Sequence, residues 1–143
     1  MSLNKFQSIV DELLSMNLEN RKFTTHARKI LSPLQYLKEI CTVHVDIGRC
    51  SGKTDYIIQK ATKDDLIVVA NQATAVSIRE NIIHPENMNI IYGNTNFPRK
   101  PFEGFKIMYV DDPKFCFQKI DYYTICKFFL SEEIEQTIVM LGE

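Results

Sequence analysis

The residues best suited to chemistry lie in the segment from Gly48 to Thr54, which ends in the order Gly-Lys-Thr. A run rich in β-branched residues, Cys41–Ile47, precedes it, and a stretch without Gly or Pro follows, so we expect a strand, a loop and a helix. Backbone N–H groups at such a helix start can wrap a phosphate group. The Lys53 ammonium would then reach the terminal phosphates of a nucleotide, and the Thr54 hydroxyl would bind Mg²⁺.

The Gly-Lys-Thr order is the closing half of a Walker A motif, whose usual first glycine is replaced here by Ile47. The alternative is a glycine-containing loop with a solvated lysine, but the predicted strand and helix on either side favour phosphate binding. The sequence therefore predicts ATP and Mg²⁺ as cofactors. The predicted nucleotide-binding residues of this loop are Gly48, Arg49, Cys50, Ser51, Gly52, Lys53 and Thr54.

Two adjacent carboxylates, Asp111 and Asp112, follow the apolar run Phe105–Val110. Nucleotide hydrolysis requires one carboxylate that holds Mg²⁺ and another group that orients the attacking water. We assign the metal ion to Asp111, together with Thr54, and the water to Asp112. The alternative is a solvated Asp-Asp-Pro turn that closes a strand. The phosphate-binding loop upstream favours the catalytic interpretation.

A third candidate, Gln35, lies in the segment Leu31–Tyr36, upstream of the predicted loop. Its side-chain amide can both donate and accept a hydrogen bond, as the edge of an adenine base requires. Ser32 and Pro33 predict an N-cap and a first helical residue, so Gln35 would lie in the first turn of a helix. A single glutamine on a helix is usually a surface residue, and that alternative stays open.

The rest of the sequence predicts the elements that position these groups. Strands alternate with helices, which is typical of a parallel sheet covered on both faces. Ligands of such sheets bind at the carboxyl ends of the strands, where both the loop and the Asp pair fall. The predicted strands are Cys41–Ile47, Leu66–Ala70, Met88–Tyr92, Phe105–Val110 and Thr137–Leu141, and the later helices are 54–61, 73–83 and a long one at Phe115–Leu130.

The predicted fold class is α/β, a three-layer sandwich with a mostly parallel sheet. An amphipathic helix precedes the sandwich, because apolar residues recur at helical spacing near the start of the chain. These residues are Phe6, Ile9, Val10, Leu13 and Leu14. A length of 143 residues fits one domain, residues 1–143, in which residues 1–30 form an N-terminal helical extension.

Composition limits the function classes. A net charge of −1 gives no global positive field, so contact with nucleic acid needs a local patch. The four cysteines lack C-x-x-C spacing and the three histidines are scattered, which predicts reduced thiols and neither a zinc site nor a disulfide framework. The sequence shows no signal peptide and no apolar run of spanning length. We therefore expect a cytoplasmic protein (host cytoplasm, if viral) with no membrane partner.

One local basic patch combines Arg99, Lys100 and Lys106 with Phe97 and Phe102. Such a loop could contact a DNA backbone and stack its bases. With a slightly acidic net charge, we favour a solvated loop whose aromatic rings fold back onto the protein. DNA as a partner is kept as the alternative.

Together these segments resemble the first RecA-like ATPase domain of helicases and of phage-type terminase large subunits, over about residues 31–142. In those families an L-x-P-x-Q segment reads adenine, and Leu31–Gln35 matches it. Ile107–Asp112 is similar to their Walker B strand, and Leu66–Thr74 looks like the element that follows Walker A. Thr137–Gly142 is similar to a strand whose terminal glycine senses the γ-phosphate.

Terminases are the better match, because their Walker A commonly lacks the first glycine and carries an arginine four places before the lysine, where Arg49 stands. The resemblance implies that Arg49 approaches the γ-phosphate and acts in catalysis with Lys53 and Asp112. The chain departs from the family at Asp112, where Glu is usual. These 143 residues contain no second RecA-like domain and no nuclease domain, so the arginine finger of a helicase is missing from them. A homo-oligomer and a larger assembly are kept as candidate partners.

The leading prediction is Mg-dependent ATP binding and hydrolysis by a terminase-like or helicase-like ATPase domain linked to DNA handling. The first alternative is a degenerate P-loop module that binds nucleotide or a partner without significant turnover, which Ile47 and Asp112 favour. The second alternative is a small P-loop kinase. The Gln35 segment and the Walker B strand argue against a kinase, because many small kinases lack both.

Overall fold

The computed structural model describes residues 3–48, 52–82, 88–93, 97–98 and 104–143. These ranges contain seven helices and five strands. From β1 onward a helix separates the described strands as predicted, except between β3 and β4, and two helices lie between β4 and β5. In chain order the elements are α1 (Leu3–Arg21), α2 (Ala27–Ile30), α3 (Pro33–Glu39), β1 (Thr42–Val45), α4 (Gly52–Lys60), β2 (Leu66–Val69), α5 (Gln72–Asn81), β3 (Asn89–Tyr92), β4 (Ile107–Asp111), α6 (Pro113–Cys116), α7 (Tyr122–Phe129) and β5 (Thr137–Leu141).

The strands form one sheet in the order β1-β5-β4-β2-β3, with every described pair parallel. The last strand of the chain, β5, lies between β1 and β4, and Val139 is in register with both Val43 and Tyr109. Neighbouring strands are about 4.8 Å apart, so the ends of β1 and β4 lie about 10 Å apart. The predicted α/β class with a mostly parallel sheet is confirmed.

Both faces of the sheet are buried, and alternate residues of each strand divide between them. On one face the strands pack against α1, α4 and α5 through side chains such as Phe6, Ile57 and Ile78. On the other face they pack against α3, α6 and α7 through side chains such as Leu37 and Phe129. Helices therefore cover both sides, an arrangement compatible with a three-layer sandwich.

The first helix is part of the core rather than an appendage on its surface. Phe6 is 1% exposed and Val10 is 0% exposed, and both pack in the same cluster as α4. At the other end of α1, buried Arg21 donates through Nη2 to Thr137 Oγ1 at 2.8 Å, which ties the helix to the start of β5. The predicted amphipathic helix is therefore confirmed, and its apolar face is the packed one.

The predicted long helix Phe115–Leu130 is wrong. The structure has two short helices there, α6 and α7, separated by residues 117–121. Asp121 has extended backbone angles, and its carboxylate accepts hydrogen bonds from Thr124 N at 2.9 Å and Thr124 Oγ1 at 2.7 Å. This N-cap starts a new helix, because it satisfies a backbone donor that an uninterrupted helix would have bonded internally.

Candidate functional site

Asp111 ends β4 with one oxygen engaged and the other without a partner. Thr54 Oγ1 donates to Asp111 Oδ2 at 2.6 Å. Asp111 is 3% exposed, and within the described residues its buried Oδ1 has no hydrogen-bond partner. Burial raises the pKa of the Asp111 carboxyl, and the Thr54 hydrogen bond acts in the opposite direction. A buried carboxylate oxygen with a free lone pair, beside a hydroxyl, is suited to a hard cation.

Thr54 reaches Asp111 because of how α4 packs. Tyr56 and Ile57 are buried on the sheet, which fixes the helix. At its first residue, Gly52, a Cβ atom would lie 3.1 Å from the side chain of Phe6. The glycine that ends the predicted phosphate loop therefore also permits close packing of α4 against α1.

Lys53 and Asp112 form an ion pair at the same edge of the sheet. Lys53 Nζ lies 2.5 Å from Asp112 Oδ1. Asp112 has left-handed backbone angles, φ 58° and ψ 69°, and is the one non-glycine residue with positive φ in the described ranges. Its N–H donates to Leu141 O at 2.9 Å, so the end of β5 holds this uncommon conformation. A phosphate that binds Lys53 would have to compete with Asp112.

Gly142 makes room for this pair. Its φ of +108° lies in the region that favours glycine, and a Cβ atom there would lie 2.8 Å from Asp112 Oδ1 and 3.0 Å from Lys53 Nζ. Because β5 runs between β1 and β4, its end falls between the two predicted motifs. The structure thus brings together four predicted residues, Thr54 with Asp111 and Lys53 with Asp112, and it places Gly142, which the resemblance had named, beside the second pair.

Gln35 is not among the residues brought together here. Its Oε1 accepts from Ser32 N at 3.3 Å, and its backbone N–H donates to Ser32 Oγ at 3.2 Å, which is a capping box. Its helix, α3, packs on the opposite face of the sheet from α4. The carbonyl oxygen that would accept from adenine is engaged at the start of its own helix, and adenine binding stays a prediction.

Several predicted site residues lie outside the described residues: Arg49, Cys50, Ser51, Arg99, Lys100 and Phe102. Gly48 is described, with φ +79°, and its N–H donates to Asp46 Oδ1 at 3.2 Å. The Phe97 ring packs on Phe128 with centroids 4.8 Å apart, which confirms the inward folding expected of that ring. Lys106 Nζ lies 3.9 Å from Asp64 Oδ2, so the described parts of the basic patch contact the protein itself.

One contact at the site was missed by sequence analysis. His44, on β1, has its Nε2 2.6 Å from Gly142 O. Alternation along β1 would place His44 on the face opposite Val43 and Val45, but no local pattern connects it to a residue 98 positions later.

The residues present fit a magnesium site with few protein ligands better than a metal site formed entirely by protein side chains. In the described ranges, no group of three or more His, Cys, Asp and Glu side chains is placed to hold a metal. Mg²⁺ commonly takes one or two protein ligands and fills its remaining positions with water and substrate phosphates. Asp111 and Thr54 are such a pair.

Two cavities differ in their relation to this site. A groove of about 510 Å³ opens beside Thr54, between α4 and α5, and its lining includes Thr74 and Ser77. A cavity of about 520 Å³ lies next to Cys41 and Gln136, which precede β1 and β5, and so at the opposite end of the sheet. Only the first adjoins the proposed cation ligands.

Comparison with known proteins leaves the site itself as the basis for a function. Neither a protein-family model nor a curated protein matches the chain. In the described ranges, none of the helices has the length and apolar character that crossing a bilayer requires.

Proposed function

We propose that this chain binds ATP together with Mg²⁺ and hydrolyses it slowly. The observation that carries the proposal is the contact of the Thr54 hydroxyl with Asp111, whose other oxygen is buried and without a partner in the described residues. A hydroxyl at the start of a helix and a carboxylate at the end of a strand are the protein ligands that a magnesium–nucleotide complex uses.

Each residue has a defined role in this proposal. The first N–H groups of α4 and the loop before it bind the phosphates, and Lys53 moves from Asp112 to the terminal phosphates. Asp111 and Thr54 would hold Mg²⁺, which would neutralise charge on the phosphate oxygens. Asp112, once released from Lys53, accepts a hydrogen bond from the attacking water and orients it.

The finer assignment is a RecA-like domain of the terminase or helicase type that acts in DNA handling in the cytoplasm. It is supported by the resemblance over residues 31–142 and by the position of Gly142 beside the ion pair. The DNA partner has weaker support, because Phe97 packs on Phe128 and Lys106 lies near Asp64.

Nucleotide binding is tested by calorimetric titration of Mg·ATP into the wild-type chain and two lysine variants. Lys53→Ala should weaken binding roughly 10- to 150-fold, since a hydrogen bond to a charged group contributes about 1.5–3 kcal/mol. Lys60→Ala is the matched control, because it removes the same charge from the far end of the same helix, where Lys60 pairs with Asp11. Equal affinity in wild type and Lys53→Ala would show that Lys53 does not contact the phosphates and would contradict the role assigned to it.

A second candidate, a nucleotide-binding module without turnover, is favoured by one observation. The carboxylate that should orient water is held by Lys53 at 2.5 Å. Phosphate release, measured with Mg²⁺ and again with a chelator, separates the two functions. Release that requires Mg²⁺ supports the ATPase, whereas tight binding without release supports the module.

A further inference from the structure

Gly142, which follows β5, is hydrogen-bonded to β1 through both its backbone N–H and its carbonyl oxygen. Gly142 N–H donates to Val45 O at 2.9 Å, and Gly142 O lies 2.6 Å from His44 Nε2. Both partners come from the strand that leads into the predicted phosphate loop. The second contact is made by the His44 side chain, so a substitution at His44 removes it and leaves the backbone of β1 in place.

The contact fixes the protonation of the histidine ring. A carbonyl oxygen can only accept a hydrogen bond, so Nε2 of His44 must carry a proton and donate it. The bond is directional, since the ring is attached to β1 and the carbonyl belongs to the last peptide before Glu143. It therefore restrains the orientation of the Gly142 peptide as well as its distance from β1.

Gly142 has a particular need for such a restraint. Glycine at positive φ has more conformational freedom than any other residue. A Cβ atom built on this residue would lie 3.0 Å from Lys53 Nζ and 2.8 Å from Asp112 Oδ1. A shift of about 1 Å in this backbone would either press on the ion pair or open a gap beneath it.

We infer that His44 is a positioning residue for the proposed hydrolysis: its ring N–H holds the Gly142 peptide, and through it the relative placement of Lys53 and Asp112. The inference rests on the proposed function. The His44 ring bonds the Gly142 carbonyl rather than either proposed cation ligand, so it is expected to affect turnover more than binding. Loop N–H groups and the Lys53 charge still bind phosphate without it, whereas a misplacement of about 1 Å can cost about 10²-fold in rate.

The test compares His44→Leu, which cannot donate, with His44→Gln, which can donate from a similar reach. His26→Leu is the control, because His26 precedes α2 and lies outside the site. For His44→Leu we expect kcat to fall about 10- to 100-fold while KM for ATP changes less than about threefold. His44→Gln should recover most of that loss, and His26→Leu should match wild type.

A second readout does not depend on ATP. Amide hydrogen exchange of the ligand-free protein should be faster at Gly142 and Asp112 in His44→Leu, unchanged in the buried strand β2, and near wild type in His44→Gln. Unchanged exchange at Gly142, or no recovery of kcat with Gln, overturns the inference. So does an active wild type whose kcat is unaffected by His44→Leu, and in that case the proposed function stands. A wild type without turnover overturns both.

Discussion

The ion pair of Asp112 with Lys53 conflicts with the role in hydrolysis that we propose for Asp112. Its carboxylate pairs with Lys53, and in the proposed reaction it must leave that lysine and orient water. Its left-handed backbone, φ 58°, points the side chain back toward β5 and Lys53. In the proposed reaction the same residue would therefore oppose phosphate binding before it assists hydrolysis.

Asp112→Asn separates these two effects. Asparagine tolerates left-handed angles, so the backbone should be kept. Loss of a partly exposed ion pair worth up to about 1 kcal/mol should tighten Mg·ATP binding about two- to fivefold, while loss of the base should slow turnover about 10²- to 10⁴-fold. Calorimetry and phosphate release measure the two effects. Asp121→Asn is the control, because asparagine is an equally good N-cap for α7.

Weaker binding of Mg·ATP by Asp112→Asn would mean that Asp112 does not compete with the phosphates. Unchanged turnover would remove it from the reaction. Thermal unfolding near the wild-type midpoint would tell either result from misfolding, and we expect it because the bond of Asp112 N–H to Leu141 O does not involve the side chain.

At the scale of elements, α3 raises the question of what Gln35 is for. The structure uses its carbonyl oxygen to close a capping box with Ser32. If the amide also selects adenine, it does so from a helix on the other face of the sheet from α4. The capping and base-reading roles can be separated, because they predict different effects of Ser32 and Gln35 substitutions on the preference for ATP over GTP.

Ser32→Ala and Gln35→Ala should each cost about 1 kcal/mol of stability, because each removes one half of the capping box. If Gln35 reads the base, the preference for ATP over GTP should be lost in Gln35→Ala and kept in Ser32→Ala. Competition binding with the two nucleotides and thermal unfolding give both quantities. A preference for ATP that survives in both variants would assign Gln35 to capping alone.

The elements that sequence analysis predicted are those with a short-range signal. Apolar runs such as Leu66–Val69 predict buried strands, and strand–loop–helix order predicts the placement of Thr54 and Asp111 at one edge. The break before α7 was missed because Phe117, Ile120 and later apolar residues keep helical spacing across it, which hides the Asp121 cap.

Contacts between distant positions had no comparable signal. The packing of Gly52 against Phe6 and the hydrogen bond of His44 to Gly142 depend on the order of strands and helices in space. The order of strands and helices is set by the burial of whole sheet and helix faces, and no local residue pattern predicts it. The candidate site was therefore predictable in its motif residues and not in the groups that support them.

At the scale of the whole molecule, the proposed hydrolysis needs an arginine that is not among the described residues. Phosphoryl transfer usually needs an arginine on the transition-state charge, worth about 10³–10⁵ in rate when a partner supplies it. Arg49, which lies outside the described residues, is the predicted substitute within the chain. The monomer should therefore turn over slowly.

Turnover per chain should be measured over a wide range of protein concentration, with and without DNA. Light scattering on the same samples gives the molecular mass and so the number of copies that assemble. We expect a low, constant value while the protein is monomeric and a rise if copies assemble and supply an arginine. Arg49→Ala should lower the monomer's rate further if Arg49 acts in cis. A dilute monomer that turns over at about 10 s⁻¹, a typical enzyme rate, would contradict the need for an outside arginine.

The Asp111 oxygen that has no partner in the described residues also bears on how long the protein survives. Burial raises the pKa of this carboxyl, so keeping it ionised at neutral pH lowers the stability of the fold, a cost that grows as pH rises from about 3.9 towards the raised pKa. A ligand that binds only the folded chain adds about 2.7 kcal/mol at a hundred times its Kd. Proteases degrade chains that open, so if Mg·ATP binds as proposed, a cell with little ATP would clear this protein faster than a cell with abundant ATP.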